Sequence, residues 1–358
     1  MYNYCTLFDS KYLIRGLAMY ESLKLHSKSF HLYVFAFDDL TEKILKEINL
    51  PQITVISLGE FENEELLALK PTRTKGEYCW TCTPSTIKYC IEKFKLPFCT
   101  YIDADLYFYN DPAILLEEMG NNSVLITPHW YTSLYNQSAT NGVYCVQFIT
   151  FKNTPEGMEV LEWWRRACNN WCFARVENGK FGDQKYLDDW PEKFKGVYVL
   201  ENKGGGVAPW NVQQYDLINL DELIIKEKAS KKTFTLVFYH YHNVRFLKSG
   251  EVDLGSYRLP LWIVKNFYTP YLLHIQRIWK NLQKYGYERE FHDRIELRKH
   301  WKTLLLKIFT KINILSSFFF FIFNRTFSKS KGKFFSKIRP IIHILIADNN
   351  IITLKGKE

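Results

Sequence analysis

Two carboxylates one residue apart, Asp103 and Asp105, follow directly on the apolar run FCTYI, residues 98–102. A charge at the end of a buried strand needs a partner, because burying a bare carboxylate is expensive. Carboxylate oxygens suit a hard divalent cation, Mg²⁺ or Mn²⁺. A cation held there can carry a diphosphate and neutralise the charge that develops on a phosphate leaving group. The segment Phe238-Tyr239-His240-Tyr241-His242 ends another apolar run with two imidazoles. His240 is a credible third ligand, and His242 competes for the same role.

Three further groups have chemistry-bearing residues. Asp9 and Tyr12 follow the first apolar run and open a helical pattern, a natural nucleotide position in an α/β fold. Asp9 can accept from a base N–H and Tyr12 can stack on the base; alternatively Asp9 or Ser10 only caps the helix. Asp183 and Gln184 follow a polar, glycine-containing stretch and would present an acid and an amide at a cleft, unless Asp183 is itself a cap. Gly204-Gly205-Gly206 leads into Pro209-Trp210-Asn211 but lacks the Lys-Ser/Thr ending of a P-loop. Cys79 and Cys82 form a CxxC with no second close pair, so the spacing favours buried thiols over a zinc site.

These residues need elements to position them. Apolar runs at 3–8, 31–37, 53–57 and 98–102 read as strands, with helical periodicity over 10–26, 40–48 and 60–69 between them. Alternation of this kind predicts an α/β fold with a mainly parallel sheet flanked by helices. Thr83 and Pro84 read as the start of the helix before the Asp-x-Asp strand. Thr154-Pro155 opens another helix, and 124–127, 144–151, 197–200 and 234–239 read as further strands. Residues 261–310 read as helical. The expected division is a sheet domain over 1–255 and a helical, basic extension over 256–358.

The chain has 358 residues and a net charge of +9, but residues 291–358 alone carry 14 Lys+Arg against 4 Asp+Glu. The first 290 residues are therefore nearly neutral, which fits an enzyme with a basic anchor better than a nucleic-acid binder. Aromatic residues make up 17%, too many for a disordered chain. The chain opens without a basic-then-apolar signal pattern, and its longest apolar run, 312–323, is short of a membrane span. The expectation is a cytoplasmic protein with reduced cysteines. Lysines and arginines flanking Leu304–Leu306 and Phe318–Phe321 suit an interfacial anchor on an anionic inner membrane surface.

The ordered set of Asp-x-x-Tyr, Asp-x-Asp, Asp-Gln, Pro-Trp-Asn and a late His resembles the GT-A-fold nucleotide-sugar glycosyltransferases similar to glycosyltransferase family 8. It is closer still to bacterial nucleotide-diphospho-sugar transferases of polysaccharide and lipopolysaccharide gene sets. The segments TCTPSTIKYCIEKF, YIDADLYFYNDP, GKFGDQKYLDDWP and APWN carry the likeness, which covers about residues 1–250. It implies a hexosyltransferase moving sugar from a nucleotide-sugar, with uracil as the base, to a cell-surface glycan or lipid-linked saccharide, with retention. It implies Asp103, Asp105 and His240 on Mn²⁺ or Mg²⁺, with Asp103 also at the donor ribose. Asp9 and Tyr12 would hold the base, Lys88 the diphosphate, and Asn211 the donor pocket. Asp183 would contact the donor sugar or acceptor hydroxyl and Gln184 the anomeric carbon. Two positions depart from the family pattern: Asn243 stands where a Gly follows the His, and Cys145-Val146-Gln147 replaces an Asn-x-Gly. The second departure leaves room for a catalytically inactive, membrane-associated nucleotide-sugar-binding protein. A sugar nucleotidyltransferase would want a Gly-rich, basic loop where FDSKYL stands.

Overall fold

Long apolar runs with no polar alternation make strands that are covered on both faces, and the first, second and fourth strands are of this kind. The computed structural model describes residues 1–247 and 250–288, and the backbone of 351–353. Along the chain the strands are β1 (Tyr2–Phe8), β2 (Phe30–Ala36), β3 (Ile53–Ser57), β4 (Phe98–Ile102), β5 (Leu106–Phe108), β6 (Val124–Pro128), β7 (Tyr144–Lys152), β8 (Val197–Val199), β9 (Tyr215–Asn219), β10 (Ile224–Glu227), β11 (Thr233–Thr235) and β12 (Phe238–His240). Seven of them form one sheet in the order β3-β2-β1-β4-β7-β6-β8. Every pair is parallel except those made by β7, which runs antiparallel between β4 and β6. The fold is thus α/β with a mixed, mainly parallel sheet flanked by helices, as the alternation predicts. β9, β10 and β11 make a separate antiparallel sheet, and β5 pairs antiparallel with β12.

The structure changes several sequence-based boundaries. The helix before β4 spans Lys75–Phe94, so Thr83-Pro84 lies inside it rather than at its start. Its cap is Thr74, whose hydroxyl accepts from Glu77 N while the Glu77 carboxylate returns to Thr74 N, a reciprocal capping box. Pro84 removes one helical donor, and nearby hydroxyls bond backbone carbonyls one turn back: Thr81 to Glu77 and Thr83 to Cys79. The expected 60–69 helix is two short pieces, Leu58–Phe61 and Glu64–Leu69, each with its own cap at Ser57 and Asn63. The expected 234–239 strand divides between β11 and β12, which belong to different sheets. All eight cysteines are free thiols, and seven of them are buried.

Residues 1–242 and 259–289 form one compact unit. Within it the helix Thr269–Leu282 packs on the helix Leu13–His26, where Glu21 accepts from His274 at 2.7 Å and from Arg277 at 3.0 Å. The expected helix over 261–310 is therefore, as far as residue 288, part of the sheet unit. It starts at Leu261–Ile263, passes through a π-helical turn at Val264–Tyr268 and ends beyond Leu282 at Gly286, whose φ is 73°. A second unit holds residues 243–258, with a hairpin of Arg245–Phe246 and Glu251–Asp253 that pairs with the backbone of Ile351–Thr353. The expected anchor over residues 300–340 lies outside the described residues. Among the described residues no helix is long and apolar enough to cross a membrane.

Thr74→Ala removes the hydroxyl half of the capping box, leaving the backbone N–H that the Glu77 carboxylate accepts from, and is expected to cost about 1 kcal/mol, read as a lower midpoint in urea denaturation. Thr74→Ser keeps the hydroxyl and should stay close to wild type.

Candidate active site

β4 ends at Ile102, and the chain makes a tight turn through Asp103-Ala104-Asp105, with Leu106 N donating to Asp103 O at 3.2 Å. It then re-enters extended structure as β5, whose partner is β12 with Leu106 opposite His240. This antiparallel pairing places His240 alongside Asp105, and Tyr241 N donates to Asp105 O at 2.9 Å. The His240 ring lies with Nε2 at 3.0 Å from Asp105 Oδ1 and 3.8 Å from Asp103 Oδ2. His242 joins them: one ligand atom each from Asp105, His240 and His242 lie within 4.8 Å of one another. The two candidates for one role are therefore neighbours. Asn243, where the resembled family has Gly, has φ 65°, a left-handed conformation that Asn tolerates better than most residues.

The electrostatics follow from burial. Asp105 and His240 are both nearly inaccessible. Burial alone would raise the Asp105 pKa, but the His240 imidazole beside it holds the carboxyl well below the usual range. Burial opposes charge on His240, yet the Asp105 carboxylate raises it well above the ordinary histidine value. In the metal-free protein each of the two groups thus favours the charged form of the other. Asp103 is pushed up to about 6 by burial, relieved by His240 and reinforced by Asp105. Two carboxylates and two imidazoles brought together in this way are a donor set that fits Mn²⁺ or Mg²⁺.

The remaining expected residues divide. Asp183 is buried and faces Asp103, with a hydrogen bond to Thr83; burial and then the Asp103 charge push it up to about 8. Its carbonyl also accepts from Trp164 Nε1 at 2.9 Å. Gln184 donates to Asn141 O at 2.6 Å. Asp9 accepts from Lys11 N, and Tyr12 itself stands at the helix cap position with no side-chain cap, so neither Asp9 nor Ser10 caps the helix Leu13–His26. The Tyr12 ring remains 41% exposed, and its hydroxyl feels the Asp105 and Asp103 charges.

Two expectations are corrected. Asn211 is fully buried and its amide is consumed by backbone: Oδ1 accepts from Ala208 N, while Nδ2 donates to His129 O and Gly206 O at 2.8 and 2.7 Å. It braces the glycine-rich loop instead of lining a donor pocket. Trp210 in that loop meets the His240 and His242 rings edge-on at 5.3 and 5.6 Å. Lys88 ion-pairs with Glu162 at 2.9 Å in the contact between helices Lys75–Phe94 and Pro155–Asn170. It lies more than a turn beyond Thr83, the residue of that helix that meets Asp183, so the structure does not bring it to the carboxylates.

Two residues join the site that the sequence reading did not assign to it. Arg15 is only 4% exposed, stacks on the Tyr12 ring at 4.6 Å, and lowers the Asp105 pKa by its charge. A lone arginine inside the apolar stretch LIRGLAM was its sequence signal. Gln147, fully buried on β7, bonds His240 Nδ1 at 2.6 Å, and its backbone carbonyl accepts from Asp103 N at 3.0 Å. Its signal was a single amide in the run YCVQFITF.

No family model matches the chain. It is 30% identical over 285 residues to the uncharacterized protein YfnD of Bacillus subtilis (strain 168), covering 77% of this chain and 89% of that protein. It is 31% identical over 282 residues to the uncharacterized protein YfnF of the same organism, covering 76% and 92%. Among solved structures it is similar to the galactosyltransferase LgtC in complex with donor and acceptor sugar analogs, with a TM-score of 0.46 and 11% identity over 77% of this chain and 95% of that one.

The raised Asp183 carboxyl has a consequence for stability. Between the unfolded value near 4 and the folded value of about 8, the native protein holds a proton that the unfolded chain releases. Stability therefore falls as pH rises through that window. Asp183→Asn removes the effect. The metal-free variant is expected to exceed wild type by about 2 kcal/mol or more at pH 8 and to match it near pH 4, by urea denaturation.

Proposed function

We propose that this chain, which belongs to the family of the Bacillus subtilis proteins YfnD and YfnF, is a metal-dependent glycosyltransferase of the GT-A, family 8-like type. Its donor is a nucleotide-sugar, a UDP-sugar by preference, and its acceptor a cell-surface glycan or lipid-linked saccharide. The observation that carries this reading is the meeting of Asp103, Asp105, His240 and His242 beyond the carboxyl end of β4, where open α/β sheets bind ligands. Two of the four, Asp105 and His240, are nearly inaccessible, and a storage or scaffold protein has no use for so costly a buried pair.

In this reading Asp103, Asp105 and His240, with His242, hold Mn²⁺ or Mg²⁺. The bound cation supplies charge neutralisation for a departing diphosphate. Asp9 and Tyr12 take the base: Tyr12 lies in the field of Asp105 and Asp103, and Asp9 is its neighbour at the end of the first strand. Arg15 takes the diphosphate role once expected of Lys88; its guanidinium is buried and already in the field of Asp105. Asp183, neutral below pH 8, can donate a hydrogen bond to a hydroxyl of the donor sugar or the acceptor. Gln184, held through its amide, would sit toward the anomeric carbon. Retention comes from the resemblance to a retaining family; with no carboxylate among the described site residues left over as a covalent nucleophile, the proposed route is attack from the leaving-group side. Acceptors on lipid would be met at an anionic cytoplasmic surface through the basic residues after 290.

Titration calorimetry of UDP tests the core of this. Wild type is expected to bind UDP about 100-fold more tightly with Mn²⁺ than without, and Asp105→Asn to lose that dependence. Arg15→Ala should weaken UDP binding about tenfold or more, a loss of ~1.4 kcal/mol or greater, while Lys88→Ala leaves it unchanged. Metal-dependent UDP binding without hydrolysis or transfer of any UDP-sugar would favour the inactive binding protein. Pyrophosphate release from UTP and a sugar phosphate would favour the nucleotidyltransferase. Sedimentation with vesicles tests the surface: the full chain should pellet with anionic and not with neutral phosphatidylcholine vesicles, and removal of residues after 290 should abolish this.

A further inference from the structure

Gln147 occupies a position that an apolar residue would fill at lower cost. It lies on β7 in the run YCVQFITF, between strands β4 and β6, and none of its surface reaches solvent. Its amide nitrogen has no hydrogen-bond partner among the described residues. Buried amides without partners are rare, and each asks for a reason. Here the reason is the other end of the amide: Oε1 lies 2.6 Å from His240 Nδ1. A carbonyl oxygen can only accept, so Nδ1 is the nitrogen that carries the proton in this pair. That orientation turns the opposite ring nitrogen, Nε2, toward Asp105 at 3.0 Å and Asp103 at 3.8 Å.

We infer that Gln147 is a positioning residue, whose side-chain carbonyl fixes the His240 ring so that Nε2 faces the two carboxylates. The inference rests on the reading that Asp103, Asp105 and His240 take a divalent cation. Histidines that ligate metals are held through their second nitrogen, which sets both ring angle and tautomer. Gln147 does this from the central sheet, and through its backbone carbonyl it also holds Asp103 N. One residue therefore sets two of the three expected ligands, and substitution of its side chain releases only the histidine. The Trp210 ring edge at 5.3 Å limits how far a released His240 can swing but offers it no acceptor. The same position explains the departure at Cys145-Val146-Gln147 as a different way of building the site, not as its loss.

The test uses full-length wild type, Gln147→Leu and Gln147→Glu. Leucine fills the space without an acceptor, and glutamate keeps one. Co²⁺ binding is followed by calorimetry and by visible absorption. The expected result is Co²⁺ affinity about 10–100-fold weaker in Q147L, with a changed absorption band. Q147E should lie within about threefold of wild type. Wild-type affinity and spectrum in Q147L overturn the inference. A second readout needs no metal. In protein with ¹⁵N-labelled histidine, the His240 Nδ1–H proton, assigned by its absence in His240→Gln, should be protected from exchange in wild type and Q147E and exposed in Q147L. Equal protection in all three also overturns it. Should wild type bind no Co²⁺, the cation reading fails while the exchange experiment still decides the role of Gln147. Similar melting temperatures for the three proteins show that the changes are local.

Discussion

The rest of the site depends on the pairing of Asp105 with His240. Asp105, at the end of a buried strand and beside a second carboxylate, has lost most of its water, and its environment must return positive charge. The chain returns it from 135 residues away, by setting β12 antiparallel to β5 so that His240 lies opposite Leu106. Removing one partner from a buried pair of this kind typically costs 3–5 kcal/mol, because the remaining charge is left uncompensated. The short two-stranded sheet is thus tied to the electrostatics of the turn it follows.

The surrounding structure holds that sheet in place. Tyr107, Tyr109, Tyr239 and Tyr241 from β5, β12 and the residues beside them pack against Phe267, Tyr268 and Tyr271 of the helical segment after residue 259. Tyr241 and Tyr271 stack with ring centroids 3.7 Å apart. Tyr107 reaches His274 at 3.0 Å, which in turn reaches Glu21 on the first helix. Tyr287 closes the path by donating to Ser10 O, next to Asp9. This tyrosine-rich packing accounts for part of the high aromatic content. It makes the segment after residue 259 a support of the site, through the β5–β12 pair, whose second strand ends at His240. On the opposite side the glycine-rich loop is fastened by Asn211 and by Trp210, whose Nε1 donates to His129 O at 2.9 Å.

The site also illustrates how stability is given up for chemistry. Asp183 and Asp103 are carboxyls in surroundings that disfavour their charge, and Arg15 is an arginine with almost no exposure. The two strained carboxyls lower the stability of the metal-free protein, and both lie among the site residues. Perturbed groups gathered in this way mark functional sites more often than structural ones. By contrast, the Lys88–Glu162–Arg165 network between two helices is an ordinary surface arrangement.

Local chemistry determined much of this protein. Mainly apolar runs marked β1 to β4 as strands, and those of β1, β2 and β4 are buried on both faces, because the pattern of a strand is set by what covers it. The Asp-x-Asp after such a strand already implied a cation or an equivalent charge. Capping and partnership were less legible. The capping box at Thr74 and Glu77 was there to read, but Pro84 looked like a helix start and masked it. Lys88 and Asn211 had the right residue types and the wrong neighbours. Which nitrogen of His240 faces the carboxylates, that His242 joins the same cluster, and that Arg15 and Gln147 belong to it were decided only by tertiary structure. The reason is that hydrogen bonds and charge pairs act over a few ångströms in space, and residues 15, 105, 147 and 240 come within that range only after the sheet has formed.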